Sequence, residues 1–263
     1  MLTKLLKYDL KYMLKNMIVF YILALFFAVI TRIFFELNQT FIIKLIGQIS
    51  VGCMFSMCAS ILINIMMRSW IRFRDSIYKD EAYLTHTLPV TKNSIYNSKL
   101  FQTLIFFAIS FIVVLISIFI VFYTEDRWLL LKEYINSIST GLNFNTTYFV
   151  ISIIIIIFLE IFNAIQCGFL GIILGYKQKN NKTGFSVLFG FVTYLISQSI
   201  VLLLVFVVGL FNSNIMNLFK SKILLDTNSF KLLIILSVIL YLFIIIIMGI
   251  ICKRVFNKGV DID

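Results

Sequence analysis

Long stretches that are almost free of charged residues constrain this chain more than any other feature of its sequence. A helix needs about 20 apolar residues to cross the hydrocarbon of a bilayer, and six stretches are long enough. Each is too long for a strand of a membrane barrel, about 10 residues, and none shows the alternating polarity of such strands. The predicted spans are residues 17–35, 45–67, 100–123, 147–176, 184–211 and 232–252.

The composition agrees with these spans. Hydrophobic residues make up 61% of the chain and charged residues only 13%, which is too little polar surface to cover a water-soluble globule of 263 residues. The sequence therefore predicts an all-α integral membrane protein in which residues 1–263 form a single transmembrane domain.

The positions of Lys and Arg predict the orientation of the spans. Of the 23 basic residues, sixteen fall in segments on the same side as the N-terminus and seven on the other side. Because cytoplasmic loops carry the excess of Lys and Arg, both termini are expected to face the cytoplasm. Anionic lipid then accounts for the net charge of +11, and a nucleic-acid partner is not expected.

The first sixteen residues carry lysines at helical spacing. Lys4, Lys7, Lys11 and Lys15 share one face of a helix, which favours an interfacial amphipathic helix over residues 1–16, ahead of the first span. The alternative is a basic N-terminus that only follows the charge rule for orientation.

Catalytic chemistry has few candidates in this sequence. His86 is the only histidine and belongs to a predicted cytoplasmic loop, so neither a histidine metal site nor a Ser-His couple is available within the bilayer. Lys182-Thr183 lacks the preceding glycine of a phosphate-binding loop. No catalytic residue, metal or cofactor is expected in this chain.

Glu160 is the most costly residue of the predicted spans. An ionised acid at the centre of a membrane helix costs about 2.5 to 3.5 kcal/mol, so Glu160 should be protonated, paired or facing a cavity. Asn163 and Cys167 follow on the same face of the helix. Two interpretations are open: a proton or substrate site, or a neutral glutamic acid that hydrogen-bonds Asn163 or a neighbouring helix.

Small and polar residues recur every fourth position in the second and fifth spans. Such spacing either lets helix backbones pack closely, as does the pair Gly171 and Gly175, or lines a route for cargo. In the second span the stripe contains Gly52, and in the fifth it contains Ser186 and Gly190. The candidate cargo residues are Gln48, Ser56, Ser60, Asn64, Thr193, Ser197 and Gln198.

The segment 68–99, between the second and third spans, holds the only proline, Pro89. Proline ends a helix, so the chain is expected to turn there, and Thr91 is well placed to cap a helix that runs through Lys99 into the third span. Residues 75–84 can form a short helix ahead of the turn. Such a helix is either a docking element or part of an ordinary solvated connection.

The loop sequence DEAYLTHTLPVTKNSIYNSKL, residues 80–100, resembles the cytoplasmic loop of type-2 ATP-binding-cassette (ABC) export permeases of Gram-positive bacteria. In those loops an acidic pair, Tyr-Leu, Thr-Leu-Pro and Ser-Lys precede the third span. The matching positions here are Asp80, Glu81, Tyr83, Leu84, Thr87, Leu88, Pro89, Ser98 and Lys99. The resemblance extends to the order of the spans and to the lack of a nucleotide-binding domain.

The resemblance implies a coupling helix that seats in a groove of a separate ATPase subunit, present in two copies and holding ATP and Mg. It further implies a second permease, identical or related, a position in the bacterial cytoplasmic membrane, and export of amphipathic peptides, drugs or lipids between the two permeases. It also implies short outer-leaflet helices within residues 215–225. The implied coupling residues are Asp80, Glu81, Tyr83, Leu84, Thr87, Leu88, Pro89 and Lys99.

Two other functions remain open on the sequence. One is an ion-coupled secondary carrier or proton-linked channel built around Glu160, although the two halves show no evident inverted repeat. The other is an assembly or sensor protein that transports nothing.

Overall fold

A computed structural model describes residues 2–37, 40–79, 81–87, 90–123, 129, 132–137, 145–211, 215–216 and 227–258. We label seven helices in chain order, and residues 132–137 form a further short helical segment. The labelled helices are α1 (Leu2–Glu36), α2 (Phe41–Tyr78), α3 (Ala82–Thr87), α4 (Lys92–Phe122), α5 (Thr146–Gly175), α6 (Lys182–Phe211) and α7 (Thr227–Asn257).

The predicted all-α architecture is confirmed. Six helices are long and apolar enough to cross a membrane, namely all those labelled except α3. The six predicted spans fall on these six helices, one on each, and the described residues contain no β-strand.

The chain divides into two compact units, Met1–Lys132 and Glu133–Asp263. In the first unit α1, α2 and α4 each pack against the other two, and α3 packs against α2. In the second unit α5 packs against both α6 and α7.

The interfacial helix predicted over residues 1–16 is helical but is not separate from the first span, because α1 runs without a break from Leu2 to Glu36. No glycine or proline interrupts this segment, so nothing in the local sequence ends the helix before the first span. Met13 and Met17 are fully buried, whereas Lys11 and Lys15 are exposed. The basic segment is therefore the first part of the first long helix, and its apolar face packs within the unit.

The loop between the second and third long helices also differs from the prediction. Residues 75–84 do not form one short helix: α2 continues to Tyr78, and the separate helix α3 begins at Ala82. The extension of α2 is held by packing, since Phe73 is buried and its ring meets Tyr96 of α4 edge-on, with centroids 6.3 Å apart.

The predicted start of the next helix is confirmed. Thr91 adopts an extended conformation, and its side-chain oxygen accepts a hydrogen bond from the backbone N–H of Ser94 at 3.3 Å. This is the usual arrangement of an N-cap. The helix it begins, α4, runs through Lys99 to Phe122, as the sequence indicates.

Candidate functional site

Helix α3 presents two large apolar side chains on its outer surface. Ala82 and Thr85 are 1% and 7% exposed on the side that packs, whereas Tyr83 and Leu84 are 77% and 69% exposed. Thr87, at the end of the helix, is also exposed. Of the other predicted coupling residues, Asp80, Leu88 and Pro89 lie outside the described residues.

Short hydrogen bonds fix the start of α3 to the end of α2. The backbone N–H of Ala82 donates to the carbonyl of Lys79 at 2.7 Å. The hydroxyl of Thr85 donates to the carbonyl of Glu81 at 2.9 Å. The carboxylate of Glu81 in turn accepts a hydrogen bond from Nη1 of Arg72 at 2.6 Å. The six-residue helix is therefore tethered to α2 through both backbone and side chain.

Arg72 also belongs to a buried group of charges that joins three helices, which we call the Asp9 cluster (Asp9, Arg72, Glu81 and Lys99). Oδ1 of Asp9 accepts from Nε and Nη2 of Arg72 at 2.9 and 2.7 Å. Oδ2 of Asp9 accepts from Nζ of Lys99 at 2.6 Å. The side chains of Asp9, Arg72 and Lys99 are 3%, 11% and 5% exposed. Two cations thus face two carboxylates, and the formal charges within the cluster cancel.

An aromatic ring covers the remaining side of Arg72. Its guanidinium carbon lies 4.4 Å from the centroid of the Tyr12 ring, within the range of a cation–π contact. Arg72 therefore contacts α1 through both Asp9 and Tyr12 and reaches the α3 segment through Glu81. A displacement of α3 would therefore strain the contacts of Arg72, which Asp9 and Tyr12 of α1 hold in place.

Of the three charged coupling candidates, the structure describes Glu81 and Lys99, and it places them differently. Glu81 is 46% exposed on its side chain, so it remains accessible to a partner. Lys99 is buried against Asp9, so within this chain it positions α4 against α1. Asp9 was not among the site residues predicted from the sequence. The available signal was its place on the helix face opposite Lys7, Lys11 and Lys15.

In the second unit the polar groups of the long helices are mostly uncharged. Nδ2 of the fully buried Asn163 donates to Oγ of Ser197 at 3.0 Å, and the Thr193 hydroxyl donates to the carbonyl of Cys167 at 3.2 Å. These bonds connect α5 with α6. Asn163, Thr193 and Ser197 therefore take part in helix packing, which is one of the two interpretations that their spacing left open.

Glycines bring the same two helices into close contact. A Cβ added at Gly171 would meet the backbone of Gly190 and of Ser186, and one added at Gly175 would meet the backbone of Ser186. The close packing predicted from Gly171 and Gly175 is therefore present between α5 and α6.

The polar stripe of the second span, on α2, is largely left uncovered by the rest of the chain. Gln48, Gly52 and Ser56 are exposed, Ser60 and Asn64 are half-buried, and a Cβ added at Gly52 would meet no atom within 4 Å. The equivalent spacing thus marks a packed face on α6 and an open face on α2.

Glu160 lies in a separate polar group of the second unit, which we call the Glu160 cluster (Glu160, Tyr194, Gln198 and Tyr241). The hydroxyl of Tyr194 donates to Oε1 of Glu160 at 3.4 Å, and that of Tyr241 donates to Oε1 of Gln198 at 3.2 Å. Tyr194 and Gln198 are four residues apart on α6, so they lie on the same face of the helix and connect the two hydrogen bonds.

The described surroundings of Glu160 contain no positive charge to pair with its carboxylate. Among the described residues, no Lys, Arg or His side chain lies within 4.0 Å of its carboxylate. An interhelical hydrogen bond in a membrane contributes about 0.6 kcal/mol on average. An ionised acid at the centre of a membrane helix costs about 2.5 to 3.5 kcal/mol. The described chain therefore gives the Glu160 carboxylate one long hydrogen bond and no counter-charge.

No candidate metal site is present among the described residues, which contain no group of three or more His, Cys, Asp or Glu placed to hold an ion. Comparisons with family models, with curated proteins and with solved structures found no match to this chain.

Proposed function

We propose that this chain is the membrane-spanning permease subunit of an ABC exporter in a bacterial cytoplasmic membrane, with both termini in the cytoplasm. A separate ATPase subunit, present in two copies, binds ATP and Mg and supplies the energy. The observation that carries the proposal is the exposed pair Tyr83 and Leu84 on a short helix that is firmly seated on α2.

An exposed aromatic residue next to an exposed leucine is suited to fill a pocket on a partner. Interface energy concentrates in a few large side chains that insert into such pockets, and aromatic residues are prominent among them. Because the backbone and Glu81 hold α3 in place, little conformational entropy is lost when a partner binds it. Tyr83 and Leu84 serve in this proposal as the anchors for the ATPase.

The Asp9 cluster gives α3 a connection to the rest of the first unit. A displacement of α3 is transmitted to Arg72 through the hydrogen bond between Arg72 and Glu81. Arg72 is bonded to Asp9 of α1, and Asp9 is also bonded to Lys99 of α4. ATP-driven closure of the ATPase pair then favours one of two packings of the helices. Cargo moves because its affinity differs between the two packings.

A second permease, identical or related, completes the transporter. The exposed stripe of α2 that contains Gln48, Gly52 and Ser56 offers a face on which the backbone of another helix can approach closely. The exposed lysines of α1, Lys7, Lys11 and Lys15, contact anionic lipid in this arrangement. The cargo is an amphipathic peptide, a drug or a lipid.

The test is co-purification of a soluble ATPase with the chain, followed by charge substitutions on α3. Tyr83→Asp and Leu84→Asp should each lower the co-purified ATPase by about tenfold or more, because a charge is placed where an apolar anchor enters a pocket. The permease should remain folded, since both side chains are mostly exposed. Tyr134→Asp is the matched control, because Tyr134 is 69% exposed and lies outside the loop.

Unchanged ATPase stoichiometry and unchanged stimulation of ATP hydrolysis in both α3 variants would contradict the coupling role. Transport that continues without ATP hydrolysis but is lost in Glu160→Gln would instead support the ion-coupled carrier.

A further inference from the structure

The Glu160 cluster lies at the same depth on three helices. Glu160 is close to the midpoint of α5 (Thr146–Gly175), and Tyr194 and Gln198 flank the midpoint of α6 (Lys182–Phe211). Tyr241 is next to the midpoint of α7 (Thr227–Asn257). All three helices are long and apolar enough to span a membrane, and in a bilayer that they cross the cluster would lie near the middle.

The cluster is rich in oxygen and lacks a cation. It contains one carboxylate, one carboxamide and two phenols, and no basic side chain among the described residues reaches the carboxylate. Both phenols donate hydrogen bonds, Tyr194 to Glu160 and Tyr241 to Gln198, so each hydroxyl oxygen can still accept a hydrogen bond. A carboxylate that has no counter-charge and a phenol bonded to it is suited to pair with a cationic group in a low-dielectric site.

Glu160 is also only partly covered by the chain. Glu160, Tyr194 and Gln198 are only half-buried, in contrast to Asn163 and Ser197 of the same two helices, which are buried. Packing of α5 on α6 is already provided by the glycines and by the bond from Asn163 to Ser197. The bond from Tyr194 to Glu160 is therefore not the main contact between these helices, and the chain covers Glu160 only in part.

We propose that the Glu160 cluster binds a positively charged group of the cargo, with Glu160 as the counter-ion and Tyr194, Gln198 and Tyr241 as its oxygen and aromatic contacts. The cargo class is then an amphipathic cation: an amine-bearing peptide, drug or lipid. That the ligand is cargo rests on the proposed function, whereas the presence of a cation site does not.

The test measures binding of tetraphenylphosphonium, a lipophilic cation, to the purified full chain in lipid nanodiscs, with neutral triphenylphosphine oxide as the paired probe. Glu160→Gln should weaken binding of the cation by about tenfold or more, because it removes the only formal charge of the cluster in a region of low dielectric constant. Binding of the neutral probe should not change. Tyr241→Phe keeps the ring and should weaken cation binding by only about two- to fivefold.

Two further variants keep the test decisive. Glu160→Asp retains the charge and should keep cation binding within about fivefold of the unmodified chain. Glu36→Gln removes an exposed carboxylate at the end of α1 and should leave binding unchanged. If Glu160→Gln does not fold, the comparison of Glu160→Asp and Tyr241→Phe with the unmodified chain still reports on the site.

Equal binding of tetraphenylphosphonium by the unmodified chain and by Glu160→Gln would overturn the proposal. So would saturable binding of sodium or potassium ions at Glu160 without binding of the organic cation, since the ligand would then be an inorganic ion and not cargo. Co-purification of the ATPase is measured on the same variants. Its presence with Glu160→Gln separates failure of this site from failure of the proposed function.

Discussion

The two units of the chain place acidic residues in opposite electrostatic situations. In the first unit, Asp9 and Glu81 face Arg72 and Lys99 across contacts of 2.6 to 2.9 Å. In the second unit, Glu160 has a single hydrogen bond of 3.4 Å from Tyr194, and no described basic residue reaches it. Among the described residues, the first unit supplies counter-charges for Asp9 and Glu81, and the second supplies none for Glu160.

This difference separates a structural role from a binding role. A buried ion pair contributes little net stability, because desolvation offsets much of the attraction, but it penalises any arrangement in which a partner is lost. The Asp9 cluster therefore fixes where the first turns of α1 and the tether of α3 must sit. Glu160 is half-buried in apolar helices and has no counter-charge from the described chain, so a ligand can supply one.

The contacts between helices also differ between the two units: they are mainly neutral in the second unit and include buried charges in the first. In the second unit, α5 and α6 approach through Gly171 and Gly190 and are joined by a neutral hydrogen bond from Asn163 to Ser197. In the first unit, charged side chains cross between helices near one end. Because the glycines and the bond from Asn163 to Ser197 already join α5 to α6, the Glu160 carboxylate is available for chemistry.

The contrast between the two acidic sites predicts that the largest loss of stability follows substitution of Asp9. Asp9→Asn leaves Arg72 and Lys99 buried without a full counter-charge, and breaking a buried pair in this way costs about 3 to 5 kcal/mol. Equilibrium unfolding in mixed micelles measures the change. Glu36→Gln is the control, because the pair of Glu36 with Arg32 is exposed and contributes little.

A second substitution sharpens the result at Asp9. Adding Lys99→Met to Asp9→Asn removes one of the orphaned charges and should recover part of the lost stability. If Asp9→Asn were no more harmful than Glu36→Gln, the Asp9 cluster would not hold the unit together and its contrast with Glu160 would lose its basis.

The features that the sequence predicted correctly depend on neighbouring residues. The six apolar runs predicted the six long helices, Thr91 was correctly predicted as an N-cap, and Gly171 with Gly175 predicted close packing. Each of these signals acts within one helix or one turn of chain. Local spacing and length are sufficient to read them.

The features that the sequence did not predict depend on distant residues. Asp9 bonds to Arg72 and Lys99, which are 63 and 90 positions away, and no local pattern identifies such partners. The same contacts help to explain why the basic segment is part of α1 and is not a separate interfacial helix. The coupling loop was only partly predicted, since α2 extends to Tyr78 through packing of Phe73 on Tyr96.

The two polar stripes illustrate a related limit. Their four-residue spacing is nearly the same in α2 and α6, yet Ser186 and Ser197 are buried and Gln48 and Ser56 are exposed. Spacing defines a face of a helix, but it does not say what covers that face. Only the tertiary arrangement distinguishes a packed stripe from an open one.

An intermediate effect is expected from alanine at two glycines. Gly171→Ala should destabilise the chain by about 1 to 3 kcal/mol, because its Cβ would meet backbone atoms of Gly190 and Ser186 that cannot rotate away. Gly52→Ala has open space and should be neutral or stabilising by up to about 1 kcal/mol, through the better helix propensity of alanine. Unfolding in mixed micelles compares the two variants. Equal stability of both would contradict the close approach of α5 and α6.

The smallest effect on stability is expected at Glu81, the exposed member of the Asp9 cluster. Glu81→Gln removes a carboxylate that is 46% exposed, so solvent screens the lost attraction and the unfolding free energy should change by less than about 1 kcal/mol. The local effect should be larger than the global one, because Arg72 tethers the start of α3 through this side chain. Hydrogen exchange should therefore quicken at the amide of Thr85, which donates to the carbonyl of Glu81, while exchange in the middle of α4 stays unchanged. A loss of stability as large as that of Asp9→Asn would show that Glu81 belongs to the buried core of the cluster, and α3 would then have no separately adjustable tether.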